Sequence, residues 1–417
     1  MIDEFLFQPE VDKKEHIIAT YYIESKDFLA AAKAIAIGQS IGNPDIRTQR
    51  ESPHLLRNHL AKIIDHKSNL SAKNRGCIKI GFPLANFNPE EDGITHLLCN
   101  LMGGQMDIDF INKCQLVDLE LPEAYSKIFK GPKFGLEEIK RRTRSEGRPM
   151  LGGIIKPKTG ISPKELRDMC IELVNGGVDF IKEDEILGNP KFCDFKERVE
   201  LVSNAVNDAA DDQGKEIFYA PCINGDYPYF LNNARYASEI GAKAVHLNIW
   251  AGFPAYRALR DADLKVAIHF QKSGDKVITG AHHNFSIHWS VVCKIARLLG
   301  SDFIHAGMWG GYLSDSKEDL SKVMHALKNK NGFKQTIPAL SCGSHPGLAT
   351  TTIRNFGTEL MMNVGGAIQG HPLGATAGAK AMRQAFSAEI KRIHPFDIMN
   401  ENLELKEAIK KWGYKDD

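Results

Sequence analysis

Gly177-Val-Asp-Phe-Ile-Lys182-Glu-Asp184-Glu185 joins an apolar, strand-like run to four consecutive charged residues. Side chains alternate along a strand, so Lys182 and Asp184 point to one face and Glu185 follows as the strand opens into a loop. Read alone, four charges in a row suit a solvated acidic turn. The same residues suit a hard cation such as Mg²⁺ if Lys182 becomes an oxygen ligand by carbamylation, because three oxygen donors then converge at one strand end.

What surrounds this segment decides the fold. Apolar strand patterns recur at Leu151–Ile155, Asp179–Lys182, Ile217–Ala220, Ala244–Ile249, Val266–His269, Phe303–His305, Thr336–Leu340 and Met361–Val364. Amphipathic helical patterns follow most of them, among them Pro163–Leu173, Arg198–Ala209, Ala234–Ile240, Val291–Leu299 and Lys317–Leu327. Eight such repeats predict a parallel (β/α)₈ TIM barrel. An open doubly wound sheet would carry a Gly-x-Gly-x-x-Gly turn after its first strand, and none is found there. Before the barrel, strand patterns at Ile17–Ile23, Cys77–Leu84 and Cys114–Leu121 mix with helical patterns at Lys26–Ile37 and Ile94–Leu101. They predict an α+β, ferredoxin-like domain over 1–128 with a small antiparallel sheet; Asp45–Arg75 gives no clear pattern. The barrel is expected over 129–417, closing with a helical tail at Asn402–Trp412.

Composition sets limits on function. Hydrophobic residues make up 43% and charged residues 25%, with a net charge of +1. This is a globular balance that offers nothing to nucleic acid or to an anionic membrane. No apolar run approaches the roughly 18 residues of a membrane span. The eight cysteines are scattered without a Cys-x-x-Cys pair, as expected of reduced thiols in a cytoplasmic protein.

In barrels of this kind the chemistry gathers at the C-terminal strand ends. There the sequence places Lys156 and Lys158 on strand one, Lys182, Asp184 and Glu185 on strand two, and Asn248 on strand four. His269 ends strand five, His305 strand six, Ser341 and Gly343 strand seven, and Gly365-Gly366 strand eight. Lys156 and Lys158 flank a proline that projects both to one side. Two ammonium groups beside carboxylates can lower one lysine's pKa or pair with substrate anions. Gly365, Gly366, Gly343 and Ser341 offer backbone N–H groups and a hydroxyl to phosphate. His269 and His305 are candidates for acid/base work or phosphate contact.

These motifs, in this order, resemble the large chain of RuBisCO. The likeness rests on Gly152-Gly-Ile-Ile-Lys156-Pro-Lys158-Thr-Gly, Gly177–Glu185, Asp302-Phe-Ile-His305-Ala-Gly307, Gly365-Gly366…Gly370-His371-Pro372, and Asn100 within Cys-Asn-Leu-Met-Gly-Gly. The resemblance implies Mg²⁺ held by Lys182 as N6-carboxylysine, Asp184 and Glu185. It implies Lys156 as the proton-abstracting base or its partner, and Lys158 and Asn100 steadying an enolate. It also implies a homodimer whose active site lies at the subunit interface, reached by Asn100, and a phosphorylated small-molecule substrate.

Departures from the family pattern redirect the activity. Tyr312 stands where carboxylases carry an essential loop lysine, and Phe270 where an arginine binds a second phosphate. Gln39 replaces an N-domain glutamate. The resemblance therefore implies a RuBisCO-like protein of the form IV type, not a CO₂-fixing carboxylase, acting on a sugar monophosphate. The leading expectation is decarboxylation, or related C–C cleavage, of a β-keto sugar-acid phosphate such as 3-oxo-isoapionate 4-phosphate. Alternatives are 2,3-diketo-5-methylthiopentyl-1-phosphate enolase, 5-methylthioribulose-1-phosphate isomerase, or a non-catalytic regulatory protein. The enolase is disfavoured because no lysine lies between Leu97 and Met106.

Overall fold

Period-two alternation decides which strand residues enter a barrel, and the computed structural model shows its consequence. The structure describes residues 2–64, 74–329 and 332–416. It divides into two compact units, Met1–Phe129 with Gly274–Ile295, and Lys130–Ser273 with Ala296–Asp417.

The second unit is the (β/α)₈ barrel. Its strands are Met150–Ile154, Phe180–Lys182, Phe218–Ala220, Ala244–Asn248, Ala267–Gln271, Phe303–Gly307, Ile337–Leu340 and Met361–Val364. Each pairs in parallel with its neighbours, the eighth pairs with the first, and a parallel bridge from Cys222 to His246 joins the third to the fourth. The first residue of every strand points inward. Met150, Phe180, Phe218, Ala244, Ala267, Phe303, Ile337 and Met361 meet there with Leu136 and Ile139 of helix Gly135–Arg142. This apolar floor leaves only the opposite end for polar chemistry. Gly152, two residues further along strand one, is glycine for want of space: a Cβ there would lie 2.5 Å from Asn363 Oδ1.

Local signals start the helices after strands one and six where the sequence predicts them, and start the helix after strand two three residues before the predicted Arg198. Ser162 and Glu165 form a capping box on Pro163–Asn175, Asp194 caps Phe195–Asp212, and Ser316 caps Lys317–Lys328. The tail helix Leu403–Trp412 docks on helix Ala375–Ile390, where Gln384 Oε1 accepts the Leu405 N–H at 3.0 Å. Among the described residues no helix is long and apolar enough to cross a membrane.

In the first unit, His16–Ser25 runs antiparallel between Arg75–Pro83 and Ile111–Glu120, with Tyr21 opposite both Ile78 and Leu116. The expected antiparallel sheet needs correction at its edges. Phe7–Gln8 pairs in parallel with Lys62–Ile64, and Phe285–Ile287 in parallel with Ile111–Glu120. The latter strand comes from the connection after barrel strand five. Gln115 secures it by donating to the carbonyls of Ala281 (3.2 Å) and His283 (3.1 Å) and to Ser286 Oγ (2.9 Å). No local pattern announces a partner so distant in sequence. The unassigned stretch Asp45–Arg75 contains helix Pro53–His59, capped by Ser52, and strand Lys62–Ile64; its 65–73 portion lies outside the described residues.

Candidate active site

Glu183 faces away from its neighbours Lys182 and Asp184 at the end of strand two. Lys182, Asp184 and Glu185 border a cavity of about 700 Å³ at the C-terminal mouth of the barrel. Glu183 turns outward, where Oε1 accepts from Arg198 Nε at 2.9 Å and from the Tyr219 hydroxyl at 2.5 Å, and Oε2 accepts the Cys222 N–H at 2.7 Å. Neither member of the Glu183–Arg198 pair is exposed. It fixes the chain direction so that residues 182 and 184 face the cavity. Removing the guanidinium leaves a buried carboxylate without its charge partner. Arg198→Leu is therefore expected to cost about 3–5 kcal/mol of stability, read as a lowered urea midpoint at unchanged slope. A midpoint like the wild type's would refute this role.

Lys182 Nζ donates to Glu185 Oε2 at 3.0 Å and to the Glu183 carbonyl at 2.8 Å. Burial alone would raise the Glu185 carboxyl, but the Lys182 ammonium and the Ser273 hydroxyl outweigh it and hold it well below the usual carboxylate range. Asp184, almost fully buried, receives the lysines of strand one: Lys156 Nζ lies 2.5 Å and Lys158 Nζ 3.8 Å from its Oδ2. Two strand ends are thereby joined by alternating charges.

The donor set can be tested against a hard cation. Among the described residues, no group of three His, Cys, Asp or Glu side chains is arranged to hold a metal. Asp184 and Glu185 supply two carboxylates, and an ammonium at Lys182 would repel a dication. A carbamate on Lys182 replaces that ammonium with an oxygen donor beside Glu185, so the set fits Mg²⁺ in the carbamylated form.

His305, Ser341, Gly343, Gly365 and Gly366 also line the cavity. Burial, then the charges of Lys272 and Lys182, press the His305 imidazole down to about 3. Gly343 has φ +112°, and a Cβ there would lie 2.7 Å from the Tyr312 nitrogen, so the mouth requires glycine on two counts. A Cβ on Gly366 would meet nothing within 4 Å, which leaves its backbone open to a ligand.

His269 is placed elsewhere. Strand five continues two residues beyond the predicted end, so His269 is fully buried below the mouth, its ring 5.6 Å from Phe180 and 6.3 Å from Phe303. Among the described residues neither ring nitrogen has a hydrogen-bond partner, and burial holds the imidazole far below its ordinary value. At the next inward position it is Gln271 that reaches the cavity, with Ser273 beyond it. Phe270 faces outward against Tyr256, ring centroids 4.4 Å apart. The residue following the cavity-facing Gln271 is Lys272, buried, whose charge reaches His305 and Cys342. Asn100 lies in the first unit on helix Gly93–Leu101. Its amide donates to the His96 carbonyl at 3.0 Å, and Gln39 donates to the Asn100 carbonyl at 2.8 Å.

Asn363, His345, Trp412 and Lys415 also line the cavity, though no sequence motif marks them. Asn363 could have been found by continuing strand-eight parity one step back from Gly365. The other three sit on loops or the tail, where no periodicity points inward.

Comparison with known proteins agrees with this architecture. The model of the ribulose bisphosphate carboxylase large chain matches twice, its N-terminal domain over residues 6–125 and its catalytic domain over 135–412. A ribulose bisphosphate carboxylase of Pyrococcus abyssi is 31% identical, covering 96% of this chain and 94% of its own. A ribulose bisphosphate carboxylase-like protein of Archaeoglobus fulgidus is 30% identical, covering 96% and 93%. The crystal structure of the octameric carboxylase of Pyrococcus horikoshii superposes with a TM-score of 0.90 at 28% identity, over 99% of this chain and 97% of that one. Two domain matches spanning nearly the whole sequence, on a barrel whose strand ends carry the lysines and carboxylates described above, place the chain in the RuBisCO large-chain family.

Proposed function

We propose that the chain is a RuBisCO-like enzyme of the form IV type that does not fix CO₂. In this reading it releases CO₂, or cleaves a related C–C bond, from a β-keto sugar-acid phosphate such as 3-oxo-isoapionate 4-phosphate. One contrast carries the proposal. Lys156, Lys158, Lys182, Asp184 and Glu185 share one cavity with Tyr312, which is 79% exposed on the loop after strand six, where carboxylases of the family carry a lysine.

Mg²⁺ held by carbamylated Lys182, Asp184 and Glu185 would supply Lewis-acid stabilisation of a developing enolate. The remaining work falls to the protein. The backbone at Gly343, Gly365 and Gly366 takes the phosphate. His305 and Ser341, with Lys272 behind them, receive the other polar end of the substrate. The bond to the carboxylate breaks, CO₂ leaves, and the electron pair remains as an enolate. Lys156 then gives its ammonium proton to the carbon. Lys158 steadies the enolate oxygen, together with Asn100 of the partner subunit in a homodimer.

A screen of phosphorylated β-keto sugar acids for Mg²⁺-dependent CO₂ release tests this directly. Exchange of the α-proton of a ketopentose phosphate in D₂O without CO₂ release would favour an isomerase or enolase. Calorimetry showing neither Mg²⁺ nor sugar-phosphate binding would refute an enzymatic role.

A further inference from the structure

We propose that the C-terminal strap after the tail helix completes the phosphate subsite, with Lys415 supplying its cation. The inference deepens the functional reading above and rests on its assignment of a phosphorylated ligand to this cavity. The tail helix ends at Gly413, φ +79°, and the chain then lies against the loop after strand seven. A Cβ on Gly347 would stand 1.9 Å from the Gly413 carbonyl oxygen, so only glycine admits the strap this close. The Lys415 N–H donates to the Gly347 carbonyl at 2.9 Å. Asp416 pairs with Arg354, which also holds Glu389 at 3.0 Å. The backbone is therefore pinned on both sides of Lys415.

The Lys415 side chain turns to the cavity wall that also carries Gly343, Gly365 and Gly366. Its ammonium donates to the Gly310 carbonyl at 3.1 Å, and among the described residues no carboxylate pairs with it. One neutral acceptor leaves N–H donors and a full charge facing the cavity. His345 on the same wall has a buried Nδ1 without a partner among the described residues. A cation and an imidazole beside glycine backbone make a subsite for a phosphoryl group. The loop that bears Tyr312 in place of a lysine is the loop whose Gly310 carbonyl Lys415 grips. The chain's end thus returns an ammonium group to that side of the mouth.

The test uses the intact chain with inorganic phosphate as probe, by calorimetry with Mg²⁺ present. Lys415→Met is expected to weaken phosphate binding about tenfold, the size of one charge-assisted hydrogen bond. Lys415→Arg should stay within about threefold of wild type, because it keeps the charge. Mg²⁺ affinity and the urea midpoint should not move, since Lys415 is exposed and contacts no metal-site residue. Phosphate affinity in Lys415→Met within about twofold of wild type, well short of the loss expected for a charged hydrogen bond, overturns the proposal, as does a wild type that binds no phosphate. Lys415-dependent phosphate binding without CO₂ release from any sugar acid would sink the decarboxylase reading and leave the strap standing.

Discussion

Replacing Lys182 by methionine is expected to lower Mg²⁺-dependent turnover by about a thousandfold or more. A Lewis acid at an enolate oxygen contributes several kcal/mol of transition-state stabilisation, and each 1.36 kcal/mol is about tenfold in rate. Methionine keeps the volume of a side chain that is 1% exposed, so the loss reports chemistry and not packing. It removes the donor to Glu185 Oε2 and to the Glu183 carbonyl, and with it the amine that would carry a carbamate beside Glu185. A second consequence follows for Glu185. In the uncarbamylated protein burial pushes its carboxyl up and the Lys182 charge pulls it down, so without that charge its proton affinity rises. Three measurements check this: turnover with and without Mg²⁺, calorimetric Mg²⁺ titration, and a carbamate ¹³C resonance in wild type equilibrated with ¹³CO₂ that is absent in the variant. Retained metal-dependent turnover would remove Lys182 from the metal site.

The second large effect is expected at Lys156. Lys156→Met should reduce turnover by about 10²–10⁴-fold, the range of a positioned general acid or base. Its ammonium sits 2.5 Å from Asp184 Oδ2, whereas that of Lys158 is 3.8 Å away from the same atom. Asp184 thus orients Lys156 more tightly and leaves Lys158 freer to meet a substrate oxygen. Solvent-proton incorporation into product should fall with turnover in Lys156→Met, while Mg²⁺ affinity stays near wild type. If Lys158→Met abolishes proton incorporation and Lys156→Met does not, the two lysines exchange roles.

The barrel was legible because eight apolar runs at regular spacing have few other ways to bury themselves, and the first residue of each strand does form the floor. The strand-two cluster was legible for the same reason: parity alone sends Lys182 and Asp184 to one side and Glu183 to the other. Strand five shows where that logic fails. Ala267, His269 and Gln271 share one parity, so the pattern said which residues point inward but not which of them stands at the mouth. The strand runs on to Gln271, so His269 lies buried and it is Gln271 that lines the cavity.

The sequence by itself determined the fold class, the strand-end charges and the family, because these depend on local periodicity and on motifs contiguous in the chain. Tertiary structure alone decided depth and convergence. Backbone pairing set how far strand five runs, Phe285–Ile287 found its sheet partner across a long separation, and the packing of Gly413 on Gly347 carried Lys415 to a cavity built from strands far upstream. Such contacts arise from long-range burial and hydrogen bonding, and no local pattern in the chain encodes them.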